Sequence, residues 1–188
     1  MKTDMSLPET LNETEAITRD VQSTFGQLSA EQLNWKPNAD SWSVAQCLEH
    51  LMLAHGQMLA VFDQVLNGTK PARFIERLPF WSSLWGPMMI KMLVPDSTKK
   101  FKAPPAGQPS VSKLDPQIVS QFAAHQRDAA EKIKAIESRG LANVVMTSPF
   151  AGFITYSLLD ACRIIAVHGR RHFEQARRVM AAEEFPES

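Results

Sequence analysis

Four stretches of this chain repeat their apolar residues at helical spacing, and no stretch alternates apolar and polar residues long enough to argue for a sheet. The first runs from about Pro8 to Leu28, with Leu11, Ile17, Val21, Phe25 and Leu28 on one face and Pro8 well placed near the start. The second opens at Ser43. Gln46, three residues later, completes a capping-box pattern, and Trp42 is placed to pack on Cys47 as a staple. This helix continues through Leu48, Leu51, Met52, Met58, Leu59, Phe62 and Leu66 to a stop at Gly68. The third, about Asp115 to Ser138, carries Ile118, Phe122, Ala129, Ile133 and Ile136, and the last runs from about Thr155 to Ala182. Trp35 to Ser41 and Asn143 to Gly152 read as loops.

The connection between the second and third helices is long. Between Pro79 and Pro95, Phe80, Trp81, Leu84, Trp85, Met88, Met89, Met92 and Leu93 make a short apolar helix, and Lys99 to Pro109 reads as an extended connector. A segment this apolar is expected to cover one end of the other helices, with a substrate-pocket lid or a homodimer interface as its alternative uses. The fold expected is therefore all-α, a four-helix bundle with a short extra helix in its crossover. At 188 residues it makes one domain, residues 1–188.

Composition removes several classes of function. Lys plus Arg and Asp plus Glu are 20 each, so no global charge favours nucleic acid or an anionic membrane. Two cysteines make no disulfide framework, the N-terminus lacks a signal peptide's apolar core, and Leu84 to Val94 is too short to span a bilayer. A cytoplasmic protein acting on a small molecule is the expectation.

The chemistry concentrates in the last helix, at His168-Gly169-Arg170-Arg171-His172. Histidines at i and i+4 lie about 40° apart on a helix, with Cβ atoms roughly 6 Å apart, so both imidazoles can reach one metal ion. Two histidines at this spacing also arise by chance, and a third from another helix is needed. His50 is a candidate for it.

Two blocks of the sequence resemble the DinB/YfiT-like superfamily. Trp35-x-Pro37 followed by Ser41-Trp42-Ser43-Val44-Ala45-Gln46-x-Leu48-Glu49-His50-Leu51 is similar to its second-helix signature. Ser148-Pro149-Phe150-Ala151-Gly152, then His168-x-x-x-His172-x-x-Gln175, is similar to its fourth-helix region. The resemblance implies up-down-down-up connectivity and a metal site of one histidine from helix two and two from helix four, carried here onto His50, His168 and His172. It also implies chemistry like that of relatives that transfer or isomerise with low-molecular-weight thiols.

Three neutral imidazoles with an open position form the donor set of a catalytic divalent-metal site, suited to zinc, nickel or iron(II). A metal there lowers the pKa of bound water or thiol and so generates a nucleophile. His55 is the rival third ligand. It lies about 140° round the helix from His50, so both cannot serve one ion. Leu51 and Met58 make the surroundings of His50 apolar, whereas Gly56 and Gln57 suggest a wetter face for His55, and His50 is preferred.

The remaining residues are expected in plainer roles. His125 is read as solvent-exposed, Cys47 and Cys162 as buried packing, with approach of Cys47 to the pocket as its alternative, and Trp35 and Trp42 as core and staple before substrate platforms. Gln175 is either a hydrogen-bond partner of a ligand imidazole or a polar residue at the rim. Arg170, Arg171, Arg177 and Arg178 are read as a solvated face, with binding of a substrate carboxylate by one of them as the alternative. No general base is evident, Glu49 and Asp160 being merely near in sequence, which favours thiol transfer over hydrolysis. The competing readings are a non-catalytic metal-binding protein and a helical interaction or stress-response protein whose histidines are incidental.

Overall fold

The computed structural model describes residues 2–78, 80–95 and 104–187. The chain is mostly helical. Its long helices are α1 (Leu7–Phe25), α3 (Val44–Leu66), α5 (Ile118–Ser138) and α6 (Leu158–Met180), with shorter α2 (Ala30–Asn34) and α4 (Trp81–Leu93) between them. Helix α1 packs on α5 and α6, and α3 packs on the same two. No helix among the described residues is long and apolar enough to cross a membrane.

Helix starts follow local chemistry. Ser6, Ser29 and Ser43 each cap the helix that follows, accepting a hydrogen bond from the backbone N–H of Glu9, Gln32 or Gln46, whose side chain bonds back to the cap. Ser157 caps α6 by accepting from the N–H of Asp160 at 3.0 Å. The short helix at Ala30–Asn34 was not expected, although Ser29 and Gln32 carry the same capping signal as Ser43 and Gln46.

The expectation of a loop at 143–152 and a helix from Thr155 is corrected. Val145–Ser148 (β1) and Ala151–Ser157 (β2) form an antiparallel hairpin, pairing Met146 with Tyr156 and Thr147 with Thr155, with an irregularity at Thr147/Ser148. Thr155 and Tyr156 are β-formers that bury themselves here, and the Ser157 cap delays the helix until Leu158.

Helix α4 lies on β2 and α6, with Trp81 Nε1 donating to the Phe153 carbonyl at 2.7 Å. Its close approach to α6 needs Gly86, because a Cβ there would lie 2.3 Å from Asp160 Oδ2. Phe80, just before α4, has φ 64°, a left-handed conformation rare for a bulky residue. The Lys99–Pro109 connector falls partly outside the described residues. Its described end forms a 3₁₀ turn at Pro105–Gly107.

Two apolar clusters make the core. One gathers Phe62, Ile133, Ile136, Tyr156, Leu158 and Ile165; the other gathers Ile17, Val21, Phe25, Leu48, Leu51, Phe122 and Phe173. Each such side chain contributes on the order of 1.5–3 kcal/mol by leaving water. Between the clusters the helices place polar residues instead, namely Thr14, His50, His55, Gln126, His168 and His172, all buried. The site lies in this layer.

Candidate metal centre

His50 enters the layer from the second turn of α3, whose phase is set by the Ser43–Gln46 capping box. His168 and His172 enter from α6, one turn apart. Gly169 between them lets α1 come close, since a Cβ there would sit 3.2 Å from Ile17 Cδ1. All three imidazoles are less than a tenth exposed.

The three converge. His168 Nε2 lies 3.2 Å from His50 Nε2 and 3.0 Å from His172 Nε2, and the candidate ligand atoms all fall within 4.8 Å of one another. Metal–nitrogen bonds of about 2.0–2.1 Å in tetrahedral geometry put ligand nitrogens roughly 3.3–3.4 Å apart, so the donor set fits one ion. Protonation fits as well. The Nδ1–H of His50 donates to the Gly107 carbonyl at 2.5 Å, which leaves its Nε2 lone pair bare. Burial lowers the pKa of His50, lowers that of His168 well below the ordinary value, and takes His172 to about 3, with neighbouring histidines adding to the shift of the last two. Neutral imidazole, the ligating form, is therefore the resting state at neutral pH.

His55 is not on a wet face. It is fully buried, with Nε2 3.1 Å from His168 Nδ1, on the side of that ring opposite the convergence point. Nor is His125 solvent-exposed. It is half-buried, its ring 6.3 Å from His55 and 23° from parallel.

Trp42, expected in packing ahead of a place at the site, does both. It packs at the edge of the second apolar cluster, and its ring also lies 4.8 Å from His50 and 5.6 Å from His172. Trp35 packs edge-on against Phe185. The thiol of Cys47 is pushed up to about 12 by burial and that of Cys162 is raised too, so both remain buried packing groups. Gln175 favours the charged form of His172 without closing a hydrogen bond on its Nδ1.

The carboxylates near in sequence are engaged elsewhere. Glu49 accepts from Ser110 N at 2.6 Å and Ser110 Oγ at 2.8 Å, while Gln46 Nε2 donates to the Ser110 carbonyl at 2.7 Å. One face of α3 thus straps the end of the crossover beside His50. Asp160 pairs with Arg163. The arginines are not a uniformly solvated face. Arg170 is half-buried and pairs with Glu13 and Asp20 of α1, and Arg171 donates to the Val94 carbonyl at 2.8 Å; Arg177 and Arg178 are exposed.

A mostly helical chain with three inward histidines from two helices, arranged to take one metal ion, is the class that fold and site define. The family model of the DinB superfamily matches residues 13–176, and the chain belongs to that metal-binding superfamily. No curated protein and no solved structure matches it.

Proposed function

We propose that this protein is a metal-dependent enzyme in which Nε2 of His50, His168 and His172 hold one divalent ion, zinc, nickel or iron(II), with a fourth position left for a small molecule. The fold belonging to this reading is a four-helix bundle running up-down-down-up. Its support is the order in which the long helices meet the two core clusters: α1 and α6 run from the first to the second, α3 and α5 the opposite way.

The observation that carries the proposal is the meeting of three imidazole Nε2 atoms in a buried layer. A divalent ion so bound would lower the pKa of a thiol or water at the open position. The chain's own residues shape that chemistry. Neutral imidazoles supply the donors, and the groups hydrogen-bonded behind them, Gly107 and His55, are neutral too. Among the described residues no carboxylate or thiolate offsets the ion's charge, so the site favours an anionic fourth ligand, a thiolate before a neutral donor. Trp42 walls one side with an apolar face that excludes water. The activity proposed is transfer of a low-molecular-weight thiol to a small electrophile, with hydrolysis of such an electrophile as the variant using water. The cytoplasm, where Cys47 and Cys162 stay reduced, is its proposed location.

Elemental analysis tests the proposal, using untagged wild type, His50→Ala, His172→Ala and His55→Ala. Near one metal per chain in wild type, lost in the first two variants, supports it and opens a screen of thiols and electrophiles. No uptake by wild type after incubation with zinc, nickel or iron(II) overturns it. A homodimeric interaction protein is the second reading, favoured by the exposed side chains Phe74 (79%), Phe80 (85%), Leu84 (60%) and Phe153 (57%) around α4.

A further inference from the structure

His55 is the buried titratable group that the three-histidine site does not use. It lies five residues beyond His50 on α3 and faces a different part of the histidine layer, so it does not share the ion. Its Nε2 instead meets the remote nitrogen of a ligand, 3.1 Å from His168 Nδ1, with the ring planes 61° apart.

Tautomer logic gives that contact a direction. His168 Nε2 faces both His50 and His172, so ligation requires its lone pair there, and the ring's one proton must sit on Nδ1. A buried N–H needs an acceptor. Nε2 of His55 occupies that place, which puts the proton of His55 on its own Nδ1, a buried atom with no hydrogen-bond partner among the described residues, so the direction rests on the demand of His168 alone. His50 has a backbone carbonyl, that of Gly107, behind its remote nitrogen, and His172 Nδ1 has no hydrogen-bond partner among the described residues. His168 is backed by a side chain at 3.1 Å, whereas Gln175 bears on His172 without closing a hydrogen bond on its Nδ1.

We infer that His55 is a positioning residue for the metal centre: it accepts the Nδ1 proton of His168 and so holds that imidazole in the tautomer and ring orientation that present Nε2 to the ion. The inference rests on the three-histidine reading. Because the acceptor is a neutral imidazole and not a carboxylate, His168 is oriented without gaining anionic character, and the ion keeps its full charge for an incoming thiolate.

The test is a competition titration with a chromophoric zinc chelator on wild type, His168→Ala, His55→Leu and His55→Gln. Each metal-free variant is first checked for helical content. Loss of the hydrogen bond behind a ligand weakens metal binding roughly 10- to 100-fold, which is the loss expected for His55→Leu. His55→Gln, whose amide oxygen reaches about as far as Nε2, should recover most of it. Wild-type affinity in folded His55→Leu, with binding still abolished in His168→Ala, overturns the inference and leaves the triad standing; no zinc binding by wild type overturns both. Equal weakening in the leucine and glutamine variants also counts against an acceptor role. A measurement free of variants is the ¹H–¹⁵N imidazole spectrum of the zinc-loaded wild type. A slowly exchanging proton on His168 Nδ1 is expected, and an unprotonated Nδ1 overturns the assignment even if His55→Leu does not fold.

Discussion

The indole of Trp42 lies 5.6 Å from the imidazole of His172, the two planes only 25° apart. Trp42 immediately precedes the Ser43 cap of α3, so the residue that opens the helix also walls the site that the helix supplies. An ion bound within this cage should perturb indole emission at short range. Nickel or cobalt titration should quench part of the tryptophan fluorescence saturably at one equivalent. The Trp42→Phe variant should bind metal yet lose most of the quench; an undiminished quench in that variant would place the ion away from Trp42.

Acid should destabilise the metal-free protein before its carboxylates titrate. Burial depresses the pKa of His50, His55, His168 and His172, that of His172 to about 3, against an ordinary 6.5. As pH falls through 6.5 the unfolded chain takes up protons that the folded chain refuses. Stability is therefore full above that pH and declines below it, toward the folded pKa. Each proton of difference contributes about 1.4 kcal/mol per pH unit. Urea midpoints of metal-free protein from pH 7 down to 5 should fall steadily, and His172→Ala should flatten the slope. A midpoint independent of pH in this window would contradict the buried neutral layer.

The strap on α3 should matter to both stability and binding. Glu49→Ala removes the acceptor for two hydrogen bonds from Ser110, which costs about 1–3 kcal/mol. It also loosens the segment whose Gly107 carbonyl orients His50. Denaturant unfolding should show the loss, and zinc affinity should fall with it. An unchanged affinity would show that Gly107 keeps its place without the strap.

Gly86→Ala separates the α4 packing from the site. Its new methyl would meet Asp160 Oδ2 at 2.3 Å, an overlap that costs about 1–3 kcal/mol as the two helices move apart. The melting temperature should drop while metal per chain stays at the wild-type value. Loss of metal in a folded Gly86→Ala protein would mean that α4 supports the histidines.

Much of this architecture could be read from local signals. The capping pair Ser43 and Gln46, the apolar spacing of α3 and α6, and the His168/His172 pair all express preferences that act within four residues. The same kind of signal, Ser29 with Gln32, marks α2, and was too short to stand out against the loop around it. The hairpin at 145–157 escaped because its strands are short and interrupted at Thr147/Ser148, and because strand preference depends on burial against neighbours from elsewhere in the chain.

His55 and Trp42 show where local reasoning stops. A helical wheel correctly separates His55 from His50 by 140°, but it treats each histidine as having one useful direction. Imidazole has two nitrogens, and the packing of α6 against α3 turns the second nitrogen of His168 toward His55. Trp42 satisfies the pattern of a staple, yet its ring is large enough to reach the imidazoles of two helices.

By itself the sequence determined the four long helices, the Ser43–Gln46 cap and the His168/His172 pair, because each depends on periodicity and on hydrogen bonds closed within a turn. Only the tertiary structure decided which nitrogens meet, that Gly107 and His55 back two of the ligands, that Glu49 is engaged by Ser110, and that Trp42 walls the site. Those relations join residues 57 to 118 positions apart, or rings carried on different helices, and are set by how helices dock, which no short-range pattern encodes.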